Sequence, residues 1–264
     1  MKLRELEGIL TNVKPFKTPK LHLEQYATDA HIAAHMIYLA ATSFDDIGEK
    51  QIIDLGCGCG MLSLGALVMG ANAILGVDID EDALKQCKEN MRELEVEEQD
   101  GIELLCVSVF DLPRILKSRK FDTALLNPPF GTKDNVGMDV AFLETALRLA
   151  NIVYSMHKSS TREYLVRKAA TYGATVTVLA QMKFLIQKQF KFHKQEKVYV
   201  DVDLLRLEKK LEFVVKVAYS SISVLRRELT IPLCISAFGM GLITLTNVSL
   251  SMKISLRMIM ANIL

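Results

Sequence analysis

A short motif at residues 127–130, Asn-Pro-Pro-Phe, is the stretch most able to carry chemistry in this sequence. It closes the apolar run 121–126, which predicts a buried strand that ends where proline removes a ladder N–H. The residue before a proline is held in extended backbone, so the Asn127 side chain and the Pro128 carbonyl become two fixed acceptors. With Phe130 as a flat apolar surface, they suit a planar exocyclic amine such as N6 of adenine. The alternative is a plain strand end with a core phenylalanine.

A second motif lies between a predicted strand at 50–55 and a predicted helix at 61–69. Residues 54–60 read Asp-Leu-Gly-Cys-Gly-Cys-Gly, and a strand, a glycine loop and a helix form a crevice where backbone can approach a ligand closely. The spacing differs from the dinucleotide form Gly-x-Gly-x-x-Gly, which places a pyrophosphate on a helix N-terminus. A loop that follows an acid and lacks that spacing better suits a ligand with an ammonium and a sulfonium.

The predicted second strand, 73–78, ends in an acid that follows the glycine loop. An acid about twenty residues past such a loop is the expected acceptor for the ribose hydroxyls of a bound ligand. Asp78 could instead cap the helix predicted over 80–94. A similar ambiguity concerns Thr28 and Asp29, since either residue could cap a following helix.

Strand and helix patterns alternate along the rest of the chain. Further strand patterns occupy 102–109, 152–156, 175–182 and 198–207, and further helical patterns occupy 140–150, 161–172 and parts of the first 40 residues. Such alternation predicts an α/β fold with a doubly wound, mostly parallel sheet and helices on both faces. The last two strand patterns are adjacent in sequence, which predicts a closing antiparallel hairpin.

Composition limits the classes of protein that this chain can belong to. The 264 residues carry a formal net charge of +1 and five cysteines. The length suffices for one large domain, or for one domain with an extension, and for a real core. The lack of a secretory-type start and of disulfide-like spacing points to a reducing compartment. Cys57 and Cys59 are too close together for an ordinary zinc pair, so we expect no metal site.

The two motifs, taken together with Asp78, resemble the class I S-adenosylmethionine-dependent methyltransferases that methylate amino groups. More narrowly, four phrases resemble the methyltransferase-like protein 5 family: 24–28 (Glu-Gln-Tyr-Ala-Thr), 127–133, 157–163 (His-Lys-Ser-Ser-Thr-Arg-Glu) and 191–194 (Lys-Phe-His-Lys). The resemblance implies a Rossmann-like class I methyltransferase fold with a seven-stranded sheet and S-adenosylmethionine as cofactor. It also implies methylation of N6 of an adenosine in small-subunit (18S) ribosomal RNA.

The resemblance implies a role for each residue that matches the family's motifs. Catalysis is expected of Asn127, Pro128, Pro129 and Phe130. The expected cofactor contacts are Gln25, Thr28, Asp54, Gly56, Gly58, Cys59, Gly60, Met61, Asp78, Ser108 and Val109. Gln25 and Thr28 would close over the cofactor, and its adenine ring would lie near Ser108. Two positions depart from the family: Ser108 stands where the family carries an acid, with Asp111 close by, and Ala27 replaces a proline.

Basic residues are candidates for contact with RNA. Residues 188–197 interleave lysines with Phe190 and Phe192, a composition suited to phosphate contacts with nearby stacking, although such a run can also be a solvated loop. The candidates are Lys133, Lys191, His193 and Lys194. His157 and Lys158 follow the fifth predicted strand at the same sheet edge, where capping or packing is an equally good interpretation.

Other functions are compatible with the four catalytic residues. An Asn-Pro-Pro-aromatic motif also serves glutamine methylation in proteins and adenine methylation in DNA, and a cofactor-binding RNA scaffold without turnover is a further alternative. The resemblance implies two partners, which are ribosomal RNA and a small zinc-ribbon methyltransferase activator protein that forms a heterodimer with the enzyme. We therefore expect a cytoplasmic and nuclear protein, with the nucleolus as one possible site.

The sequence divides near residue 209. We expect a class I methyltransferase domain over 1–209, with an N-terminal helical cap over 1–45, and an atypical hydrophobic extension over 210–264. The family's fold already closes at the predicted strand that ends near Leu207. The resemblance therefore does not extend into the C-terminal residues.

The C-terminal extension allows three interpretations. No charged residue lies between Glu228 and Lys253, and this stretch is long enough to span a bilayer. Pro232, Asn247 and interspersed serines, threonines and glycines dilute its hydrophobicity, which argues against a membrane anchor over 229–252. The extension could also be an extra helix packed on the domain, or a non-native end from an altered transcript or gene model. We favour the last interpretation because the family's fold closes before it.

Overall fold

A computed structural model of the chain describes residues 1–96, 101–117, 120–131, 135–187, 197–210, 235–238 and 242–245. The chain divides into two compact units, Met1–Lys209 and Lys210–Leu264. The RNA-contact candidates Lys133, Lys191, His193 and Lys194 lie outside the described residues, as does most of 229–252. In the described parts of the chain, no helix has both the length and the apolar character needed to cross a membrane.

The helices and strands of the first unit alternate, as the sequence pattern predicts. The helices are α1 (Leu3–Leu10), α2 (Ala30–Thr42), α3 (Met61–Val68), α4 (Glu81–Glu93), α5 (Leu112–Leu116), α6 (Met138–Leu149) and α7 (Arg162–Thr171). The strands are β1 (Gln51–Leu55), β2 (Ala73–Asp78), β3 (Ile102–Cys106), β4 (Phe121–Leu126), β5 (Ala150–Lys158), β6 (Ala174–Gln187) and β7 (Lys197–Lys209). In the second unit, β8 (Ile235–Phe238) pairs antiparallel with β9 (Leu242–Leu245).

Strands β1 to β7 form a seven-stranded sheet in the order β3-β2-β1-β4-β5-β7-β6. The first five strands run parallel, and β7 is antiparallel to both of its neighbours. This confirms the predicted α/β fold with a mostly parallel sheet and an antiparallel closing strand. The strand order reverses between β1 and β4, and ligands of such sheets bind at the carboxyl ends of the strands beside that reversal.

Helices cover both faces of the sheet because the buried strands are apolar on both sides. In β1, Ile52 packs into a core cluster with α1, α2 and α3, whereas Ile53 and Leu55 pack into a second cluster with α6 and α7. Successive strand residues point to opposite faces, which explains the alternation. The buried Leu6 and Leu10 fix α1 to the first face. The two clusters hold the carboxyl ends of β1, β2 and β4 in place.

Two strands and one helix illustrate how the structure differs from the sequence-based expectation. The strand predicted over 102–109 ends at Cys106, because its partner β2 ends at Asp78, the residue paired with Cys106. The strand predicted over 175–182 continues to Gln187, because β7 supplies partners along its whole length. Helix α5 was not predicted, since five residues are too few for a periodic pattern.

Candidate active site

Asn127 follows the last residue of β4 and lines a pocket at the carboxyl edge of the sheet. Its Nδ2 donates a hydrogen bond to the Thr28 hydroxyl at 2.8 Å. A primary amide donates through nitrogen and accepts through oxygen, so this bond leaves Oδ1 as the atom suited to accept from a ligand. Pro128 is buried, Pro129 lines the same pocket, and Phe130 packs partly buried against the first core cluster.

The glycine loop brings backbone to the pocket through left-handed turns. Gly56, Gly58 and Gly60 have φ values of 74°, 54° and 87°, which favour glycine. At Gly58 a Cβ atom would lie 2.8 Å from Cζ of Phe16, so the loop has no room for a side chain there. Gly56 and Gly58 line the pocket. Cys59 and Gly60 are buried, and they carry the chain into Met61, the first residue of α3.

Asp78 faces the pocket from the end of β2. Its carboxylate accepts the backbone N–H of Gly58 and that of Asp80, each at 2.9 Å. Burial raises the pKa of Asp78, and these N–H groups partly offset the increase. The cap of α4 is Asp80, which accepts the Asp82 N–H at 3.1 Å. Asp78 is therefore not the helix cap, and its carboxylate lies against the glycine loop.

An N-terminal strap, residues 14–26, covers one side of the pocket. Within it, Gln25 accepts the Lys20 N–H at 2.7 Å through Oε1 and donates to Asp80 at 2.7 Å through Nε2. Lys20 also reaches Asp80 with its ammonium group at 2.5 Å. Burial alone would raise the pKa of Asp80, but the hydrogen bonds from Lys20 and Gln25 outweigh burial and lower this pKa. The strap is thus attached to the turn that follows Asp78.

The strap also meets the loop that follows the Asn-Pro-Pro-Phe motif. Asn135 donates to the carbonyl oxygen of His22 at 2.9 Å and to the Glu24 carboxylate at 3.0 Å. Ser108 and Val109, which follow β3, also line the pocket. The pocket is therefore enclosed by the strap, the glycine loop, and the segments that follow β2, β3 and β4.

Asp54 and Ser63 form a buried pair next to the glycine loop. Asp54 is 1% exposed, and its Oδ2 accepts the Ser63 hydroxyl at 2.6 Å. The other oxygen, Oδ1, has no hydrogen-bond partner among the described residues. Burial raises the pKa of Asp54 to about 7, although the bonds from Ser63 oppose the increase. Asp54 thus supports the loop as part of the core.

His157 has no exposed surface and contacts the side chains of Ser155 and Asp139. Its Nε2 lies 2.8 Å from the Ser155 hydroxyl, and its Nδ1 lies 3.6 Å from Oδ2 of Asp139 in the first turn of α6. A Cβ atom at Gly131 would lie 3.8 Å from Oδ1 of the same Asp139. The sequence allowed His157 to act either in capping or in packing, and the structure supports packing.

The structure brings eight of the fifteen predicted catalytic and cofactor-binding residues to one pocket. Its lining includes Gln25, Gly56, Gly58, Asp78, Ser108, Val109, Asn127 and Pro129. Seven others, Thr28, Asp54, Cys59, Gly60, Met61, Pro128 and Phe130, lie outside the lining among the described residues. Sequence reasoning missed Phe16, His22 and Asn135, which also line it. Phe16 carries a weak signal, since it is a lone aromatic residue between Pro15 and Lys17. The pocket combines open backbone, a carboxylate and an amide oxygen.

Comparison with known sequences finds methyltransferases over most of the chain. The model of the family described as ribosomal protein L11 methyltransferase (PrmA) matches residues 28–127. The rRNA N(6)-adenosine-methyltransferase METTL5 of Danio rerio is 44% identical over 207 residues, which cover 78% of this chain and 98% of the relative. The rRNA N(6)-adenosine-methyltransferase Mettl5 of Drosophila melanogaster is 45% identical over 209 residues, which cover 79% of this chain and 97% of the relative.

A solved structure has the same fold over nearly its full length. The crystal structure of PH1948 from Pyrococcus horikoshii, a candidate RNA methyltransferase, matches with a TM-score of 0.70 and 32% identity. The match covers 79% of this chain and 98% of that chain. Sequence and fold comparisons thus agree on the same type of protein.

Proposed function

The chain belongs to the METTL5 family of rRNA N(6)-adenosine-methyltransferases, and from this premise we propose that it methylates N6 of an adenosine in small-subunit (18S) ribosomal RNA. The observation that carries the proposal is the position of Asn127. Its amide lies at the end of β4, lines the same pocket as the glycine loop and Asp78, and has its nitrogen bonded to Thr28. The amide oxygen is therefore suited to accept from an exocyclic amine.

The pocket fits S-adenosylmethionine as the proposed cofactor. Gly56 and Gly58 present backbone at the pocket wall, and Asp78 supplies a carboxylate for ribose hydroxyls. Gln25 in the strap and the segment at Ser108 and Val109 would hold the two ends of the cofactor. Five predicted residues would act without lining the pocket. Thr28 would orient the Asn127 side chain, and the conformation of the glycine loop would depend on Asp54, Cys59, Gly60 and Met61. When bound, S-adenosylmethionine supplies a sulfonium methyl group that is open to attack by a nitrogen lone pair.

The chain's own contribution to catalysis is electrostatic stabilisation and positioning. The lone pair of the adenine amine is delocalised into the ring, so it must localise on nitrogen as positive charge develops there. Asn127 Oδ1 and the Pro128 carbonyl would accept the two N–H groups and stabilise that charge. Pro129 and Phe130 would orient the base so that the amine approaches in line. No strong general base is required, because a positively charged amine loses its proton readily after transfer.

Contacts beyond the pocket are part of the same proposal. Lys133, Lys191, His193 and Lys194 would contact RNA phosphates, with neighbouring phenylalanines available for stacking. A small zinc-ribbon activator protein would bind as a heterodimer and cover apolar surface. Phe110 and Ile115, which follow the edge strand β3, are 59% and 46% exposed and supply such surface. A ribosomal RNA substrate suits a protein of the cytoplasm and nucleus, including the nucleolus.

The test is methyl transfer from labelled S-adenosylmethionine to purified small-subunit ribosomal RNA, with and without the activator, followed by nucleoside analysis. We expect label in N6-methyladenosine. An Asn127→Ala variant should lose at least about 100-fold in turnover, because an acceptor that acts on developing charge is removed. Its affinity for S-adenosylmethionine, measured by calorimetry, should stay within about twofold of wild type, since the cofactor is held mainly by other groups.

The matched control is Asn151→Ala, at an exposed position near the amino end of β5. It should leave turnover unchanged. Label in protein glutamine or in DNA, rather than in ribosomal RNA, would show that the substrate is one of these two alternatives. Cofactor binding without transfer to any of the three substrates, even with the activator, would favour a non-catalytic scaffold.

A further inference from the structure

Helix α4 contains a fully buried asparagine for which the proposed mechanism has no use. Asn90 has no exposed surface. Its Nδ2 donates to the carbonyl oxygens of Lys14 at 3.0 Å and Cys59 at 2.9 Å, and its Oδ1 accepts the Lys14 N–H at 3.1 Å. Gln86 donates to the same Oδ1 at 3.3 Å. These four bonds satisfy both donors and both acceptor positions of the amide.

The groups bonded to Asn90 belong to two different sides of the pocket. Lys14 begins the N-terminal strap, and Cys59 lies in the glycine loop. Two residues after Lys14, Phe16 lines the pocket and packs directly over Gly58. Asn90, which is not among the residues that line the pocket, therefore joins the strap to the glycine loop close to Phe16.

Exposed ion pairs add a second attachment of the strap to the same region. Three lysines of the strap pair with acids of α4 in antiparallel order: Lys14 with Glu93, Lys17 with Glu89 at 2.5 Å, and Lys20 with Asp82 at 2.9 Å. Most of these side chains are well exposed, and exposed pairs contribute little and are screened by salt. A buried amide with four bonds is screened far less. Asn90 is thus the stronger candidate for the fixed attachment.

We propose that Asn90 is a positioning residue for the cofactor pocket. It acts through Phe16 and the Cys59 carbonyl, and it sets the affinity for the cofactor without lining the pocket itself. The inference rests on the proposed function in one respect, because it takes S-adenosylmethionine as the ligand. Removing the amide leaves three backbone groups, the Lys14 N–H and the Lys14 and Cys59 carbonyls, without these hydrogen bonds, so the strap and the loop lose their fixed spacing.

The test is a double-mutant cycle on S-adenosylmethionine affinity, measured by calorimetry on the full chain. We expect Asn90→Ala to weaken binding about tenfold, the size of effect that loss of a buried hydrogen-bonded link produces. Phe16→Ala should weaken binding similarly. The double variant should bind the cofactor at most about twofold more weakly than either single variant, because both changes remove the same interaction. Turnover of Asn90→Ala at saturating cofactor should stay within about threefold of wild type.

The matched control is Glu89→Gln, one position before Asn90 on the same helix. It breaks an exposed ion pair to the strap and should change affinity less than twofold. If Asn90→Ala does not fold, Asn90→Asp keeps the size and the acceptor for the Lys14 N–H and should still weaken binding. Unchanged affinity in a folded Asn90 variant, or additive losses in the cycle, would overturn the inference. Failure of the wild-type chain to bind S-adenosylmethionine would overturn both this inference and the proposed function.

Discussion

At the scale of single residues, Asp54 has the most unusual environment in the site. It opens the glycine loop, yet it is 1% exposed and only one of its oxygens has a partner among the described residues. Desolvation is the main cause of its raised pKa, and the nearby Asp78 adds to it. Because a carboxyl with a raised folded pKa binds its proton more tightly in the folded state, its contribution favours folding at low pH.

We predict that Asp54→Asn changes how stability depends on pH. The folded pKa is about 7, so the stabilising contribution of Asp54 is complete below its unfolded pKa and is lost as pH rises through 7. Asparagine has no charge to desolvate. The unfolding free energy of the variant, relative to that of the wild-type chain, should therefore increase by on the order of 4 kcal/mol between pH 4 and pH 8. Urea unfolding at several pH values measures the difference.

The exposed Asp45→Asn variant is the control for this experiment, since its side chain is 87% exposed. A pH-independent difference between Asp54→Asn and wild type would show that Asp54 is not held neutral by burial.

The residues of the site divide by how well the sequence could predict them. Asn127, Gly58 and Asp78 belong to local motifs, because their backbone conformation is set by adjacent prolines, glycines or a strand end. Phe16 and Asn90 could not be placed this way, since their contacts join segments 31 to 76 residues apart, as the bonds of Asn90 to Cys59 and Lys14 show. One signal was present: Asn90 occupies a helical position that continues the buried face of α4.

At the scale of elements, the start of α2 shows how two adjacent residues divide their tasks. The sequence left open whether Thr28 or Asp29 caps this helix. Asp29 is the cap, because its carboxylate accepts the His31 N–H at 2.9 Å. The Thr28 hydroxyl instead accepts the Asn127 amide at 2.8 Å. Thr28, which precedes the cap of α2, thus orients the amide, while its neighbour Asp29 secures the helix.

Substitution of Asp29 should therefore affect stability, whereas substitution of Thr28 should affect turnover. Asp29→Ala should lower the unfolding free energy by about 1 kcal/mol through loss of the cap, with turnover unchanged. Thr28→Val keeps the shape of the side chain but removes the acceptor for Asn127, so turnover should fall about tenfold or more as the amide loses its orientation. Denaturant unfolding and methyl-transfer kinetics on both variants measure the contrast. Equal losses of turnover in the two variants would contradict the division of tasks.

The elements that the sequence predicted least well depend on their neighbours. The end of β3 is set by the end of β2, and the length of β6 is set by its pairing with β7. Neither feature is visible in the local pattern, because strand length is decided by the hydrogen-bonded partner. The long apolar strands and the amphipathic helices were predictable, since burial on one or two faces imposes their periodicity.

At the scale of the whole molecule, the unit Met1–Lys209 contains every element described around the pocket. Both hydrophobic core clusters lie within it. Its sheet is completed by β7, which pairs with β5 on one side and with β6 on the other. The alignments to the fish and fly relatives span 207 and 209 residues, close to the size of this unit. We propose that residues 1–209 form the methyltransferase domain.

This proposal predicts the outcome of truncation. A chain that ends after Lys209 keeps both core clusters and all the paired strands of the main sheet, so it should bind S-adenosylmethionine within about twofold of the full chain. Its thermal midpoint should lie within a few degrees of that of the full chain, as measured in the same buffer. The control is a chain that ends at residue 196, which removes β7 and leaves β5 and β6 without their shared partner. That chain should not fold, because the lost strand carries the buried Val202, Leu205 and Leu207. Loss of cofactor binding in the 1–209 chain, with binding retained by the full chain, would place part of the functional fold in residues 210–264.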